Sequence, residues 1–105
     1  TDTPDDNNAN ALPTGFILSD PYPNPFNSSC VIDYTLPYGA HTTITVHNIL
    51  GRTIATLVDG IKPAGRYSVL WNGLDQTGEP AASGIYLYKM TTENFTDSKK
   101  LVLIK

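Results

Sequence analysis

Cysteine occurs once in this chain of 105 residues, as do methionine and tryptophan. A single thiol, Cys30, excludes an internal disulfide and any zinc site built on cysteines. Charge is scarce as well: Asp, Glu, Lys and Arg make up 16% of the residues, with a formal net charge of −3. Such a chain has no electrostatic case for a nucleic-acid partner, which would want a basic patch. Long apolar runs are missing: none is long enough to span a bilayer, no signal peptide is visible, and direct membrane insertion is not expected. Segments with helical periodicity longer than two turns are absent too.

What is present suits short strands. Eight glycines, eight prolines and many Thr, Ser and Asn accompany a hydrophobic content of 40%. That is turn and strand chemistry, in a length that supports one domain with a modest core. The charges are unevenly placed. Asp2, Asp5, Asp6 and Asp20 open the chain with no cation among the first twenty residues, while Lys89, Lys99, Lys100 and Lys105 face only Glu93 and Asp97 near the end. Residues 1–14 have no periodicity and read as a flexible acidic linker, and residues 15–105 as the folded domain. The start at Thr1-Asp2-Thr3-Pro4 reads as that of a fragment of a larger protein, whose export signal, if it is secreted, lay upstream.

From Gly15 a short apolar run, Phe16-Ile17-Leu18, is followed by Pro21, Pro23 and Pro25 at alternate positions. Prolines so spaced cannot donate ladder hydrogen bonds, and they mark a rigid surface crossing between two strands. Cys30 to Leu36 alternates, with Cys30, Ile32, Tyr34 and Leu36 on one face. His41 to Asn48 alternates with Ile44 and Val46 inward. The next strand runs from Thr53 to Val58 and is expected to end at Asp59-Gly60, with a further break at Lys62-Pro63-Ala64-Gly65. Tyr67, Val69 and Trp71 share a face. After the polar loop from Leu74 to Ser83, Tyr86, Tyr88 and Met90 point inward from a strand over Ile85 to Thr92. The last strand, Asp97 to Lys105, is apolar on both faces. This spacing predicts an all-β fold, an antiparallel β-sandwich of about seven strands.

No catalytic constellation emerges. His41 and His47 sit on the outward face of one strand, roughly 20 Å apart, and neither has a Ser, Cys or acidic partner at motif spacing. Cys30 lies on an apolar face with no basic neighbour and reads as a small core hydrophobe. Asp33 reads as a structural residue pairing with a cross-strand Lys or Thr. Asp75-Gln76-Thr77-Gly78-Glu79 supplies two carboxylates, short of the six to eight oxygens that calcium takes. A plain β-turn explains the loop, and no metal and no cofactor are expected. Carbohydrate binding would need an aromatic platform, for which Tyr22, Phe26, Tyr38 and Trp71 are the candidates. Trp71 is assigned to the core, and one turn tyrosine is not a platform.

Four blocks, however, occur in a telling order. They are Tyr22-Pro23-Asn24-Pro25-Phe26-Asn27-Ser28-Ser29, Val46 to Leu57 with its Asn48-Ile49-Leu50-Gly51, Trp71-Asn72-Gly73 with Ala82-Ser83-Gly84-Ile85-Tyr86-Leu87-Tyr88, and Lys99-Lys100-Leu101-Val102-Leu103-Ile104-Lys105. Together they resemble the C-terminal sorting domains of proteins exported by the type IX secretion system. The block from Trp71 to Tyr88 is also similar to the Ig-like module of flagellar hook-capping proteins. The resemblance implies an Ig-like sandwich without enzymatic activity, attached to a cargo domain on its N-terminal side. It implies recognition by the outer-membrane translocon, removal by a sortase-like peptidase in the stretch before Gly15, and passage through the periplasm to the surface of a Gram-negative bacterium or beyond.

The terminal strand, Lys99, Lys100, Leu101, Val102, Leu103, Ile104 and Lys105, is the expected recognition element. An edge strand can add to a partner's sheet, and its lysines would steer it to an acidic groove. Edge protection against aggregation explains the same lysines. Pro23, Asn24, Pro25, Gly51, Trp71, Gly84 and Tyr86 are motif residues with structural roles, the glycines serving turns or close packing. The competing readings are an Ig-like structural or adhesion spacer and a carbohydrate-binding accessory module.

Overall fold

The computed structural model describes residues 15–105, so the linker expected over 1–14 lies outside it. The described residues form seven strands and no helix: β1 (Ile17–Leu18), β2 (Cys30–Leu36), β3 (Ala40–Asn48), β4 (Thr53–Lys62), β5 (Gly65–Trp71), β6 (Gly84–Thr91) and β7 (Thr96–Leu103). They build a three-stranded sheet in the order β1-β2-β5 and a four-stranded sheet in the order β4-β3-β6-β7. Every strand pairing is antiparallel. The expected all-β Ig-like sandwich is therefore what forms.

Period-two alternation decides which side of each strand is dry. Cys30, Ile32, Tyr34 and Leu36 face Ile44, Val46, Tyr88, Met90, Leu101 and Leu103 across the sandwich, all of them buried. Trp71 closes one end of this core with its ring centroid 5.5 Å from Phe26 and 5.4 Å from Tyr86. Such contacts add about 0.5–1.5 kcal/mol each beyond area burial. Phe26 is thus a core residue, not an exposed member of an aromatic platform.

Polar atoms drawn into the core are matched. The Trp71 indole donates to the Leu74 carbonyl at 2.9 Å, and Tyr88 Oη donates to the Ser19 carbonyl at 2.5 Å, tying β6 to the opposite layer. Tyr86, near the start of β6, donates to the Ala82 carbonyl four residues upstream at 2.6 Å. This is the tyrosine corner of Ig-type sandwiches. Among the described residues no buried side-chain polar atom lacks a partner.

The strand β4 runs past its expected end. Gly60 pairs with Thr42 and Lys62 with Ala40, and two register shifts against β3 absorb Leu57 and Ile54 as extra residues. Bulges of this kind twist an edge strand away from further pairing. The turn into β5 accordingly shrinks to Pro63-Ala64, with Lys62 and Gly65 belonging to strands. Asp33 pairs with Ser68 in register and accepts its hydroxyl at 2.5 Å, together with Tyr22 Oη at 3.1 Å. The expected Lys or Thr partner is replaced by these two hydroxyls.

Strand directions give the molecule two ends. The chain arrives at the near end, where Phe16 stacks on Phe95 and meets Tyr38 edge-on, both at 5.2 Å. That end holds the β2–β3 and β6–β7 turns. The far end holds the β3–β4 turn, the loop between β5 and β6, and Lys105.

Candidate functional site

The terminal strand β7 is an edge of the four-stranded sheet, the position that strand addition would require. Its outer edge is not bare. The Phe26 N–H donates to the Val102 carbonyl at 2.9 Å, and the Ile104 N–H donates to the Phe26 carbonyl at 2.8 Å. Asn24 completes the cover: its Oδ1 accepts the Val102 N–H at 2.9 Å, and its Nδ2 donates to the Lys100 carbonyl at 3.4 Å. The peptide bonds preceding Pro23 and Pro25 are both cis. Proline offers no N–H, so within Pro23-Asn24-Pro25 the Asn24 side chain is what makes the ladder-like contacts. The segment is a strap over the last third of β7, and it leaves the edge before Lys100 as the part open to a partner strand.

The strap was not visible in the sequence, since it joins residues 76 and 78 positions apart. One signal was available: a last strand apolar on both faces is covered on more than one side.

The predicted terminal residues divide by role. Leu101 and Leu103 are core residues and cannot reach a partner. Lys99 is half-buried and lies 3.3 Å from the Asp20 carboxylate, so it serves the contact between the layers. Lys100 and Lys105 are exposed, Val102 is half-buried and Ile104 is exposed. The Lys105 N–H donates to Ser83 Oγ at 3.0 Å, fastening the end of the chain beside the start of β6.

The motif residues converge at the far end. Pro23, Asn24 and Pro25 form the strap, and Trp71 and Tyr86 pack below it with Phe26. Gly84 pairs with Leu103, and nothing stands within 4 Å of where a Cβ on Gly84 would sit. Close packing is therefore not its role. Gly51, at φ +84°, takes a left-handed turn conformation that glycine adopts without strain.

The remaining candidates lie apart. His41 is 3.0 Å from Asp59 across β4, an acidic partner brought by register, while His47 contacts Thr45 at 2.7 Å and Thr53 at 3.3 Å. Asp75 Oδ1 accepts from the Thr77 hydroxyl and N–H and from the Glu79 N–H. The Thr77 hydroxyl, then these backbone donors, hold its carboxyl below the usual range. Among the described residues no three His, Cys, Asp or Glu side chains group as metal ligands. Tyr38 packs on Phe16 at the near end, and Tyr22 is bonded to Asp33 on the three-stranded sheet, so the two exposed tyrosines share no surface.

The Ig-like arrangement and its tyrosine corner have a counterpart among known families. The family model of the FlgD Ig-like domain matches residues 27–95. The chain belongs to this family. As a FlgD Ig-like domain it has structural relatives in larger proteins. Dimeric latent PorU from Porphyromonas gingivalis superposes with a TM-score of 0.66 at 16% identity, over 85% of this chain and 9% of that one. PorZ of the same organism, described as an essential bacterial surface component of the type-IX secretion system, superposes with a TM-score of 0.57 at 18% identity, over 87% of this chain and 12% of its own. At these identities the likeness is one of fold, and the chain spans about a tenth of either protein. No curated protein sequence matches it.

Proposed function

We propose that this domain is a C-terminal sorting signal that directs an attached cargo protein across the outer membrane by the type IX system. One observation carries the reading. The FlgD Ig-like match stops at residue 95 and begins at residue 27. The segments outside it, Tyr22–Phe26 and Lys99–Lys105, are bonded to each other through Asn24 and Phe26. The strap and the terminal strand thus form one continuous unit, built from the first and last of the four blocks that resemble sorting tails. The fold likeness to PorU and PorZ supports the same reading. On this reading the domain is an address without catalytic activity. It acts in the periplasm and at the cell surface of a Gram-negative bacterium, and a sortase-like peptidase removes it by cutting before Gly15.

Family membership favours a second reading, an Ig-like structural spacer. An inert reporter fused ahead of residues 1–105, in a cell with the type IX machinery, separates the two. Export to the medium or surface is expected of a sorting signal, whereas a spacer leaves the reporter in the periplasm. Retention of the unaltered fusion would sink the sorting reading.

A further inference from the structure

The β3–β4 turn presents two large aliphatic side chains to water at the far end of the sandwich. Ile49 is 76% exposed and Leu50 83%. A turn at this position has no use for them, since turns favour Gly, Asn, Asp and Ser. Nor is the turn loose. Asn48 Oδ1 accepts the N–H groups of Leu50 and Arg52, both at 3.0 Å. The Asn48 N–H donates to the Arg52 carbonyl at 3.0 Å, and the Gly51 N–H to the Asn48 carbonyl at 2.9 Å. Four hydrogen bonds and a left-handed glycine fix the backbone of the turn from which the pair projects. Preorganised apolar side chains lose little freedom when they bind.

The surroundings extend the pair into a surface. Ile49 stands between two shallow grooves, one of about 360 Å³ lined with Ser83, Gly84 and Ile85, the other of about 340 Å³ lined with His47, Leu87 and Lys89. Ile85 and Leu87 face outward from β6, in register with Val102 and Lys100 of β7. The outward positions of β6 and β7 are Ile85, Leu87, Lys89 and Thr91, and Thr96, Ser98, Lys100 and Val102. They include two cations and no carboxylate. Lys105 adds positive charge at the same end. The far-end carboxylates, Asp75 and the exposed Glu79, sit in the β5–β6 loop, where Asp75 is turned onto its own backbone and shares a groove with Arg52. On its β6–β7 side the surface is apolar at its centre and cationic at its margin through Lys89 and Lys100, and the charge complement of that side is acidic.

Its position fits engagement while cargo is attached. The polypeptide enters the described domain at the opposite end, where Phe16 packs beside Tyr38 and Phe95, so the point of entry and Ile49 lie at opposite ends of the strands. The strap restricts strand addition at the end of β7, and the tip stands exposed at the same end.

We propose that the Ile49-Leu50 tip, with Ile85 and Leu87 behind it, is the anchor by which the domain docks into an apolar recess rimmed by carboxylates on the secretion machinery. This rests on the sorting reading above. The test uses the reporter fused to residues 1–105 in a type IX-proficient cell. Ile49→Asp with Leu50→Asp is expected to lower export by at least about tenfold, the scale of losing central anchors. Lys100→Glu should lower it several-fold. Leu70→Asp, on the outer face of the three-stranded sheet and 54% exposed, should leave it unchanged. Melting of each purified domain must match the unaltered one, and the exposed positions make that the expectation. Normal export of the folded Ile49→Asp, Leu50→Asp variant overturns the proposal and leaves the sorting reading intact. Equal loss with Leu70→Asp overturns it too. Retention of the unaltered fusion removes the sorting reading and this inference with it. Sedimentation covers the other occupant: a dimer of the purified domain that Ile49→Asp dissolves assigns the tip to a second copy.

Discussion

At the residue scale, the most instructive side chain is the lone thiol. Cys30 lies on β2 against the core, and burial pushes its pKa up to about 11. Burial also raises Tyr88, with Asp20 acting in the same direction, and raises Tyr34 and Tyr86. A group whose folded pKa is raised stabilises the fold fully below its unfolded pKa, and that contribution is lost as pH rises through the folded value. For Cys30 the window runs from about pH 8.5–9 to about 11. Stability measured by urea denaturation is therefore expected to hold flat from neutrality to about pH 8.5 and to fall above it. Replacing Cys30 with Ala should shallow that fall. A second readout is chemical: the native thiol should resist alkylating reagents at pH 8 and react only on unfolding, since the thiolate is the nucleophile. Prompt native-state labelling would contradict the buried assignment. Cys30 was legible as core because its strand alternates cleanly. Phe26 was not, because it follows three prolines in a stretch without periodicity and is buried through distant contacts, with Trp71 and with the end of β7.

Among the elements, the strands were readable and their edges were not. Alternation located β2, β3 and β6, since side chains on one face of a strand share a fate, but left the inward face of β7 open because that strand is apolar on both faces. It could not show that β4 continues through Asp59-Gly60, because there the ladder to β3, not composition, sets the limit. Nor could it show the strap, which is a backbone and amide contact between distant segments. The strap makes its own prediction. Asn24→Ala removes the acceptor for the Val102 N–H and the donor to the Lys100 carbonyl. The domain should remain folded and lose about 1 kcal/mol, while the Val102 amide exchanges with deuterium markedly faster and the Leu101 amide, which faces the β6 side, does not. Unchanged exchange at Val102 would mean that the strap is held by Phe26 alone. For recognition, a free β7 edge is available to a partner strand only over Thr96 to Lys99 unless the strap leaves.

For the whole molecule, the end of the chain is part of the core. Deleting Lys99 to Lys105 removes Leu101 and Leu103 together with most of the β6–β7 ladder and the anchor of the strap. Loss of a buried leucine costs about 2–5 kcal/mol, so two of them with their strand exhaust the stability of a small domain, about 5–15 kcal/mol. The truncated chain is expected to show no cooperative thermal transition by circular dichroism. A folded truncation with a clear melting transition would refute the placement of β7. It follows that a terminal deletion reports on folding first, and that surface substitutions such as Lys100→Glu are the ones that report on recognition. Within Lys99 to Lys105, Leu101 and Leu103 hold the sandwich together, Lys99 and Val102 are half-buried, and Lys100, Ile104 and Lys105 are exposed, a division that alternation alone could not make in a strand apolar on both faces.

The two ends also fix how the domain bears a mechanical load. Were cargo to pull at Phe16 against a domain held at Ile49 and Leu50, as proposed, the load would be directed along the strands. Antiparallel ladder bonds lie across that direction, so they are sheared together and not peeled one after another. The first link in the line of tension is β1, which has only the pairs Ile17–Thr35 and Leu18–Tyr34. Under traction that short ladder and the Phe16 stack yield first, and the block from β2 to β7 stays whole behind them.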